Sequence, residues 1–200
     1  MANSGSNSKG RSKAEPVTIL GVDPGTNIMG YAVLSSQGKR CALKTADVIR
    51  LGKLGDHYVR LNAIYQQLNQ LLSEYRPTVL AIEAPFYGKN VQSMLKLGRA
   101  QGVAISVAIS RGLAVHEYSP RKIKRAITGN GNASKEQVAK MLTDILGLTH
   151  EPATHDETDA IAAGMCYHYE LCSPLQGAAQ YKNWKDFLEN NPQLIAGKKG

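Results

Sequence analysis

Four acidic residues have the chemistry and the spacing needed to bind divalent cations. Asp23 and Glu83 each end a short apolar run, and a proline follows each within two positions. Asp156 and Asp159 are three residues apart, so a helix presents both on one face. Mg²⁺ and Mn²⁺ prefer carboxylate oxygens, and two such ions about 4 Å apart can hold the reactants of an in-line phosphoryl transfer. The four acids therefore predict a two-ion site for chemistry at phosphorus.

Each acid also has an ordinary structural explanation. Asp23 precedes Pro24-Gly25 and fits a turn aspartate, and Glu83 fits a solvated strand end. The pair at 156 and 159 fits an exposed acidic helix start, which the macrodipole favours. Glu157 is excluded from the site because Thr154-His-Asp-Glu157 matches a capping box, which gives this glutamate a structural role.

The apolar pattern predicts the elements that position these acids. We expect strands over 17–22, 28–35, 41–51, 78–82 and 113–118, and helices over 57–75, about 93–110, from 134 and from 154 to about 171. The first three strands lack crossover helices and form an antiparallel meander, whereas helical crossovers make the last two parallel to the first. The predicted fold is α/β, a mixed five-stranded sheet with helices on both faces, and it brings Asp23 and Glu83 to one edge.

Composition limits the classes of protein to consider. The 200 residues carry a net charge of +8, which favours a polyanionic partner. We expect a disordered basic leader at 1–16, one domain at 17–171 and a C-terminal tail at 172–200. No apolar run approaches the ~20 residues that span a membrane. The three cysteines form no CxxC pair and suit free thiols in a reducing cytoplasm.

One basic segment precedes the acidic helix. Between residues 121 and 140, six basic residues stand against the single acid Glu136: Arg121, Lys122, Lys124, Arg125, Lys135 and Lys140. The flexible turn Gly129-Asn-Gly-Asn lies between them, where backbone phosphates could approach. The alternative is a solvated helical face, which is the usual explanation of a charge run.

The chain resembles the crossover-junction endodeoxyribonuclease family RuvC, within the ribonuclease-H-like fold. The resemblance runs in order across roughly residues 17–171. It is carried by Ile19-Leu-Gly-Val-Asp-Pro-Gly-Thr, Ala81-Ile-Glu-Ala-Pro-Phe86, Lys89-Asn90, Leu95-Lys-Leu-Gly-Arg-Ala-Gln-Gly-Val-Ala, Glu117-Tyr118 and Asp156-Glu-Thr-Asp-Ala-Ile-Ala. The first of these motifs also resembles the turns of sugar-kinase and actin-like ATPases, whereas the whole series is specific to the family.

The resemblance implies a function and a ligand set. Asp23, Glu83, Asp156 and Asp159 would be the catalytic metal ligands, with Asp23 reaching both Mg²⁺ ions (or Mn²⁺). The protein would be a homodimer that nicks two strands of a four-way (Holliday) junction and leaves 5′-phosphate and 3′-hydroxyl ends. It would act in the cytoplasm with the RuvA and RuvB branch-migration proteins, in recombination and repair.

The resemblance also implies DNA contacts. Phe86 stands where the family has an aromatic residue that contacts bases at the junction, although a core phenylalanine is the alternative. Lys124 and Lys135 would contact DNA near the acids, and the basic segment adds Arg121 and Lys122.

Three other functions remain open. A nuclease of the same fold could act on another substrate, such as RNA, and the basic segment and Phe86 favour the junction over it. A non-catalytic junction-binding protein is disfavoured because buried like charges are costly without a metal. An actin-like ATPase ranks last, since one domain of this size lacks the second lobe that closes over nucleotide.

Overall fold

The computed structural model describes residues 15–85 and 90–173, together with 186, 188 and 189. Its elements follow in the order β1 (Val17–Asp23), β2 (Ile28–Gln37), β3 (Arg40–Arg50), α1 (His57–Tyr75), β4 (Val79–Glu83), α2 (Val91–Ser110), β5 (Ala114–Tyr118), α3 (Pro120–Thr128), α4 (Lys135–Leu146) and α5 (His155–Cys172). None of the described helices is long and apolar enough to cross a membrane. Most of the predicted leader and tail lies outside the described residues, so these two predictions stay open.

The sheet has the mixed architecture that the sequence predicts. Its strand order is β3-β2-β1-β4-β5, with β1, β2 and β3 antiparallel and β4 and β5 parallel to β1. The parallel register sets Val22 of β1 beside Ile82 of β4. Asp23 and Glu83 are the next residues of these two strands, so both leave the sheet at the same edge.

Helices cover both faces of the sheet and create two cores. Leu20 and Val22 pack on one face with the apolar sides of α1 and α2. Ile19 points to the other face and packs with residues of α3, α4 and α5. This alternation along β1 follows from the two-residue period of a strand. The sheet is therefore buried on both sides, and its carboxyl edge is the part of it left open for chemistry.

The backbone of helix α5 packs directly against the backbone of the sheet, because three glycines leave room for it. A Cβ atom on Gly21 would collide with the carbonyl oxygen of Ala160, and one on Gly30 would collide with the carbonyl of Asp156. On the helix side, a Cβ on Gly164 would collide with the Leu34 side chain. The start of α5, with its two acids, is thus held directly over the ends of β1 and β2.

The sequence analysis missed helix α3 within the basic segment. Ser119 caps this helix by accepting a hydrogen bond from the Lys122 N–H at 3.3 Å, and Pro120 occupies its first turn. Gly129 ends it with a left-handed φ of 75°. Serine followed by proline is the start signal that would have revealed the helix. Because α3 is helical, alternate basic residues of this segment point in different directions.

The glycine contacts lead to a stability prediction. Gly21→Ala forces a methyl group into the backbone of α5, where a side-chain rotation cannot relieve the clash, so we expect a loss of about 3 kcal/mol or more. Urea unfolding followed by circular dichroism measures it. The control is Gly55→Ala, because its new methyl would meet only Val59 at 3.9 Å. Equal stability of the two variants would contradict the packing described.

Candidate active site

The carboxyl edge of the sheet brings Asp23 and Glu83 together in a partly buried position. The turn after β4 is fixed by the Ala84 N–H, which donates to the Tyr118 carbonyl at 2.8 Å. Burial first, and then the negative charges of Glu83, Asp159 and Asp156, raise the pKa of Asp23 to about 8. Burial and the charge of Asp159 likewise raise the pKa of Glu83 to about 7. Ionising both carboxyls near neutral pH therefore needs positive charge at this edge.

The other two acids come from the first two turns of α5. The Thr154 hydroxyl caps the helix by accepting from the Glu157 N–H at 3.2 Å. The predicted capping box is only half formed, since the Glu157 carboxylate accepts from the Ala153 N–H at 3.0 Å, one residue before the cap. Glu157 is buried in this structural role, as the sequence analysis expected. Asp156 and Asp159 remain partly exposed beside Asp23, whose pKa they raise.

Lysine 135 places a positive charge among these acids. Its ammonium group donates to Asp159 Oδ2 at 2.8 Å, from the first residue of α4. Burial acts to lower the pKa of Lys135, but the Asp159 hydrogen bond and the charges of the other acids outweigh it and raise the pKa. The ammonium in turn acts to lower the pKa of Asp23 and of Glu83. Lys135 therefore supplies part of the counter-charge that this edge requires.

The four acids offer the type of ligand atom that hard divalent cations prefer, because they present carboxylate oxygens from three separate elements. Among the described residues, no group of three or more His, Cys, Asp or Glu side chains is already arranged to hold a metal ion. The charges of Asp156 and Asp159 nevertheless raise the pKa of Asp23, and the charge of Asp159 raises the pKa of Glu83, so the four carboxylates lie close enough to interact electrostatically. A cation with oxygen ligands fits this field, and Lys135 marks where positive charge is stabilised.

A cleft beside the acids is lined by two of the predicted DNA-binding residues, Lys124 and Lys135. It has a volume of about 270 Å³, and its lining includes Glu83, Asp159, Lys124 and Lys135. The charge of Lys124 also acts to lower the pKa of Glu83. These two lysines thus lie beside the acids, in the same cleft.

Lys122 and Arg121 are placed differently from these two lysines. The Lys122 ammonium pairs with Glu170 at 3.0 Å, near the opposite end of α5, and lies 4.7 Å from the centre of the Tyr118 ring. Arg121 is exposed and packs over the loop at Gly131. Phe86, with residues 87–89, lies outside the described residues.

Sequence reasoning missed the side chains that support the edge from behind. Tyr118, at the end of β5, donates its hydroxyl to Glu170, and this bond ties the sheet to α5. Gln101 of α2 is buried and donates to Glu117 Oε2 at 2.7 Å. Glu117-Tyr118 was visible only as part of the family resemblance, because its partners are 16 and 52 residues away.

The comparison with known families decides the classification. Residues 19–167 match the family described as "Crossover junction endodeoxyribonuclease RuvC". This chain belongs to the RuvC family. A RuvC of Porphyromonas gingivalis is 50% identical over 181 residues, covering 88% of this chain and 96% of that protein. A RuvC of Bacteroides fragilis is 50% identical over 179 residues, covering 88% and 95%.

Solved structures of RuvC agree with the fold. The Thermus thermophilus RuvC structure superposes with a TM-score of 0.70 at 29% identity, covering 76% of this chain and 95% of that chain. T. thermophilus RuvC in complex with Holliday junction substrate gives a TM-score of 0.73 at 27% identity, covering 78% and 95%. The yeast mitochondrial Holliday junction resolvase Ydc2 shares the fold, with a TM-score of 0.61 at 14% identity. The ribonuclease-H-like sheet predicted from the RuvC resemblance is thereby confirmed.

The raised pKa values predict that the metal-free protein loses stability as pH rises. Unfolded carboxyls ionise near 3.8 and 4.5, whereas the folded Asp23 and Glu83 ionise near 8 and 7. Between these limits the folded state keeps protons that the unfolded state has lost, so unfolding becomes easier by up to about 1.4 kcal/mol per pH unit for each group. Urea unfolding in EDTA from pH 5 to pH 8 measures the slope. Asp23→Asn should flatten it, and an unchanged slope in that variant would contradict the assignment.

Proposed function

We propose that this chain is a Holliday junction resolvase, an endonuclease that nicks two symmetry-related strands of a four-way junction during DNA recombination and repair. Its products would carry 5′-phosphate and 3′-hydroxyl ends, which ligase can join. The observation that carries the proposal is the shared field of Asp23, Glu83, Asp156 and Asp159, in a chain half identical to two RuvC proteins. A four-way junction supplies the polyanion that the net charge of +8 favours.

The four acids would hold two Mg²⁺ ions, with Mn²⁺ as a substitute, and Asp23 would reach both. Bound ions of this kind lower the pKa of the attacking water and stabilise the leaving oxygen. The carboxylates' part is to bind the ions and to fix their positions. Their raised pKa values favour cation uptake at mildly alkaline pH, because the ligands must give up protons to bind.

Two lysines would bind the DNA at the reacting phosphate. Lys124 and Lys135 line the cleft beside Glu83 and Asp159, and both carry charge opposite to that of a phosphodiester. Asp159 would be one of the residues that hold a cation, and the Lys135 ammonium, which pairs with Asp159 in the metal-free protein, would then be placed to donate to a phosphate oxygen. These lysines thus orient the strand and offset the charge that develops at phosphorus.

The remaining contacts of the proposal rest on the family. Phe86 would stack on a base opened at the junction, which is worth about 1–3 kcal/mol. Arg121 would bind DNA backbone from its exposed position, and Lys122 would do so only in exchange for Glu170. RuvA and RuvB would be the partners, in the cytoplasm.

A homodimer would use the outer face of α2. Three apolar residues of this face, Val91, Leu95 and Ile109, are 66%, 53% and 60% exposed. Between them Gly98 and Gly102 have open space above them, and all five residues fall on one helical stripe. Exposed apolar side chains flanking glycines one turn apart allow another helix to approach closely. A second copy of α2 satisfies this requirement and would supply the second active site for paired nicks.

Removing one ligand at a time tests the catalytic assignment. Asp23→Asn and Asp156→Asn should each slow junction cleavage by at least about 100-fold, a loss seen even for outer-shell partners of a metal. Both should still bind the junction in EDTA, since DNA affinity rests on the basic residues. The assay uses a labelled four-way junction, a linear duplex and an RNA–DNA hybrid with Mg²⁺. Asp144→Asn, an exposed acid of α4, is the matched control. Cutting of the hybrid or the duplex in preference to the junction would overturn the proposed function.

The oligomeric state tests the role of α2. Leu95→Lys puts a charge into the proposed contact and should halve the mass measured by light scattering after gel filtration. Ile145→Lys is the control, because Ile145 is an exposed apolar residue of α4, away from that stripe. A wild-type monomer, or a dimeric Leu95→Lys protein, would remove α2 from the interface.

A further inference from the structure

A second polar cleft is lined by α1 and α2, which cover one face of the sheet, whereas Lys124 and Lys135 belong to α3 and α4 on the other face. It measures about 420 Å³ and lies between the turn after β1 and the first turns of α1 and α2. Its lining is almost wholly polar: Thr26, Asn27, Gly55, Asp56, His57, Arg60, Ser93 and Lys96. Thr26 is three residues along the chain from Asp23, so this cleft and the lysine cleft flank the same carboxyl edge.

The electrostatic character of this cleft favours an anion. Lys96 and Arg60 line it, and Arg99 follows Lys96 by three residues on α2. Within residues 15–85 and 90–173, ion pairs are found for Lys122 and Lys135, and no carboxylate of these ranges pairs with Arg60, Lys96 or Arg99. The cleft's single acid, Asp56, is occupied as the N-cap of α1. Two helix N-termini, those of α1 and α2, add their positive dipole ends.

Arg60 builds the walls of the cleft in addition to supplying charge. Its guanidinium donates to the Thr26 carbonyl at 3.2 Å and to Asn27 Oδ1 at 2.8 Å. It also donates to the Gly52 carbonyl at 3.3 Å, which ties the β1–β2 turn to the loop before α1. These acceptors are neutral, so the positive charge of the guanidinium is not cancelled. The cleft is thus held open by the same side chain that makes it attractive to an anion.

His57 supplies an unused hydrogen-bonding atom. Its Nε2 is buried and has no hydrogen-bond partner among the described residues. A buried polar atom without a partner costs about 1–3 kcal/mol, so a site that leaves one is expected to gain a partner from a ligand. Burial first, and then the charges of Arg99, Lys96 and Arg60, lower the pKa of His57 against the opposing charge of Asp56, which favours the neutral ring. A neutral imidazole carries one N–H donor.

We propose that this cleft, formed by His57, Ser93 and Lys96 with Arg60 behind them, binds a backbone phosphate of a junction arm. The inference rests on the proposed function, since it adds a second DNA contact to the same active site. The acids would then lie between two phosphate-binding clefts, with Lys124 and Lys135 on one side and Lys96 on the other. A strand held on both sides of the cutting position cannot slide past the acids.

The experiment measures how strongly salt weakens junction binding. Lys96→Gln combined with Arg99→Gln removes two charges from exposed positions and leaves Arg60 and the loop it holds unchanged. The matched control is Lys39→Gln with Arg40→Gln, which removes two charges from the β2–β3 turn at the opposite edge of the sheet. Fluorescence anisotropy with a labelled four-way junction in EDTA gives Kd at salt concentrations from about 50 to about 300 mM. Over this range, the loss of affinity with salt reports the number of phosphates that the protein neutralises. Light scattering confirms that each variant keeps the wild-type mass.

Each outcome has a definite meaning. The slope of log Kd against log salt should fall by about 1 to 2 in the Lys96/Arg99 variant, at about 0.9 for each phosphate that the protein no longer neutralises, and stay at the wild-type value in the control. Equal slopes in all three proteins, or equally reduced slopes in both variants, would overturn the inference. If the wild type binds the junction but cuts nothing with Mg²⁺, the proposed function fails while the slopes still decide the cleft. If the wild type does not bind DNA, both proposals fall.

Discussion

The close approach of α5 to the sheet is the constraint on which the active site depends. Two of the four acids belong to strands and two belong to this helix, so the site exists only where the helix start meets the strand ends. Gly21 and Gly30 let the helix backbone touch the sheet, and Gly164 does the same from the helix side. A helix set back by one side-chain layer would leave the acids in two separate pairs.

Bringing the acids together creates an electrostatic cost that the rest of the edge must offset. The raised pKa values of Asp23 and Glu83 reflect burial first and then the charges of the neighbouring acids. Lys135, at the start of α4, offsets part of the cost through its bond to Asp159. The negative charges of the metal-free site therefore repel one another, and a divalent cation that binds there would relieve this repulsion.

Much of the fold could be predicted because it is encoded locally. Every strand was predicted within two residues of its observed bounds, since apolar runs and turn residues lie next to each other in the chain. α1 was predicted at its full extent from its apolar period. The acids at 23 and 83 could be singled out because they end such runs. The parallel pairing of β1 and β4 followed from the helical crossover between them.

What escaped prediction is non-local or ambiguous in sequence. The Lys135–Asp159 pair joins residues 24 positions apart, and the Tyr118–Glu170 bond joins residues 52 apart, so no local pattern reveals either. The roles of Gly21 and Gly30 depend on which helix packs above them. Helix α3 was missed because its charged residues hid the short apolar period of Ile123 and Ile127. The cleft around Arg60 is formed by turns whose own sequences carry no such signal.

Contacts along the whole length of α5 also fix the position of its acids. Its N-terminal half, which carries the acids, touches the sheet at Asp156, Ala160 and Gly164. Its C-terminal half is held at Glu170 by Tyr118 and Lys122, and two residues earlier by the hydrogen bond between Ser36 and His168. Asp156 lies eight residues, or about 12 Å, from Gly164, so a tilt of the helix by about 5° about Gly164 would move Asp156 by about 1 Å. If the proposed catalytic role of Asp156 holds, a misplacement of that size would cost about 100-fold in rate, and the bonds at Glu170 and His168 would contribute to the accuracy of the site.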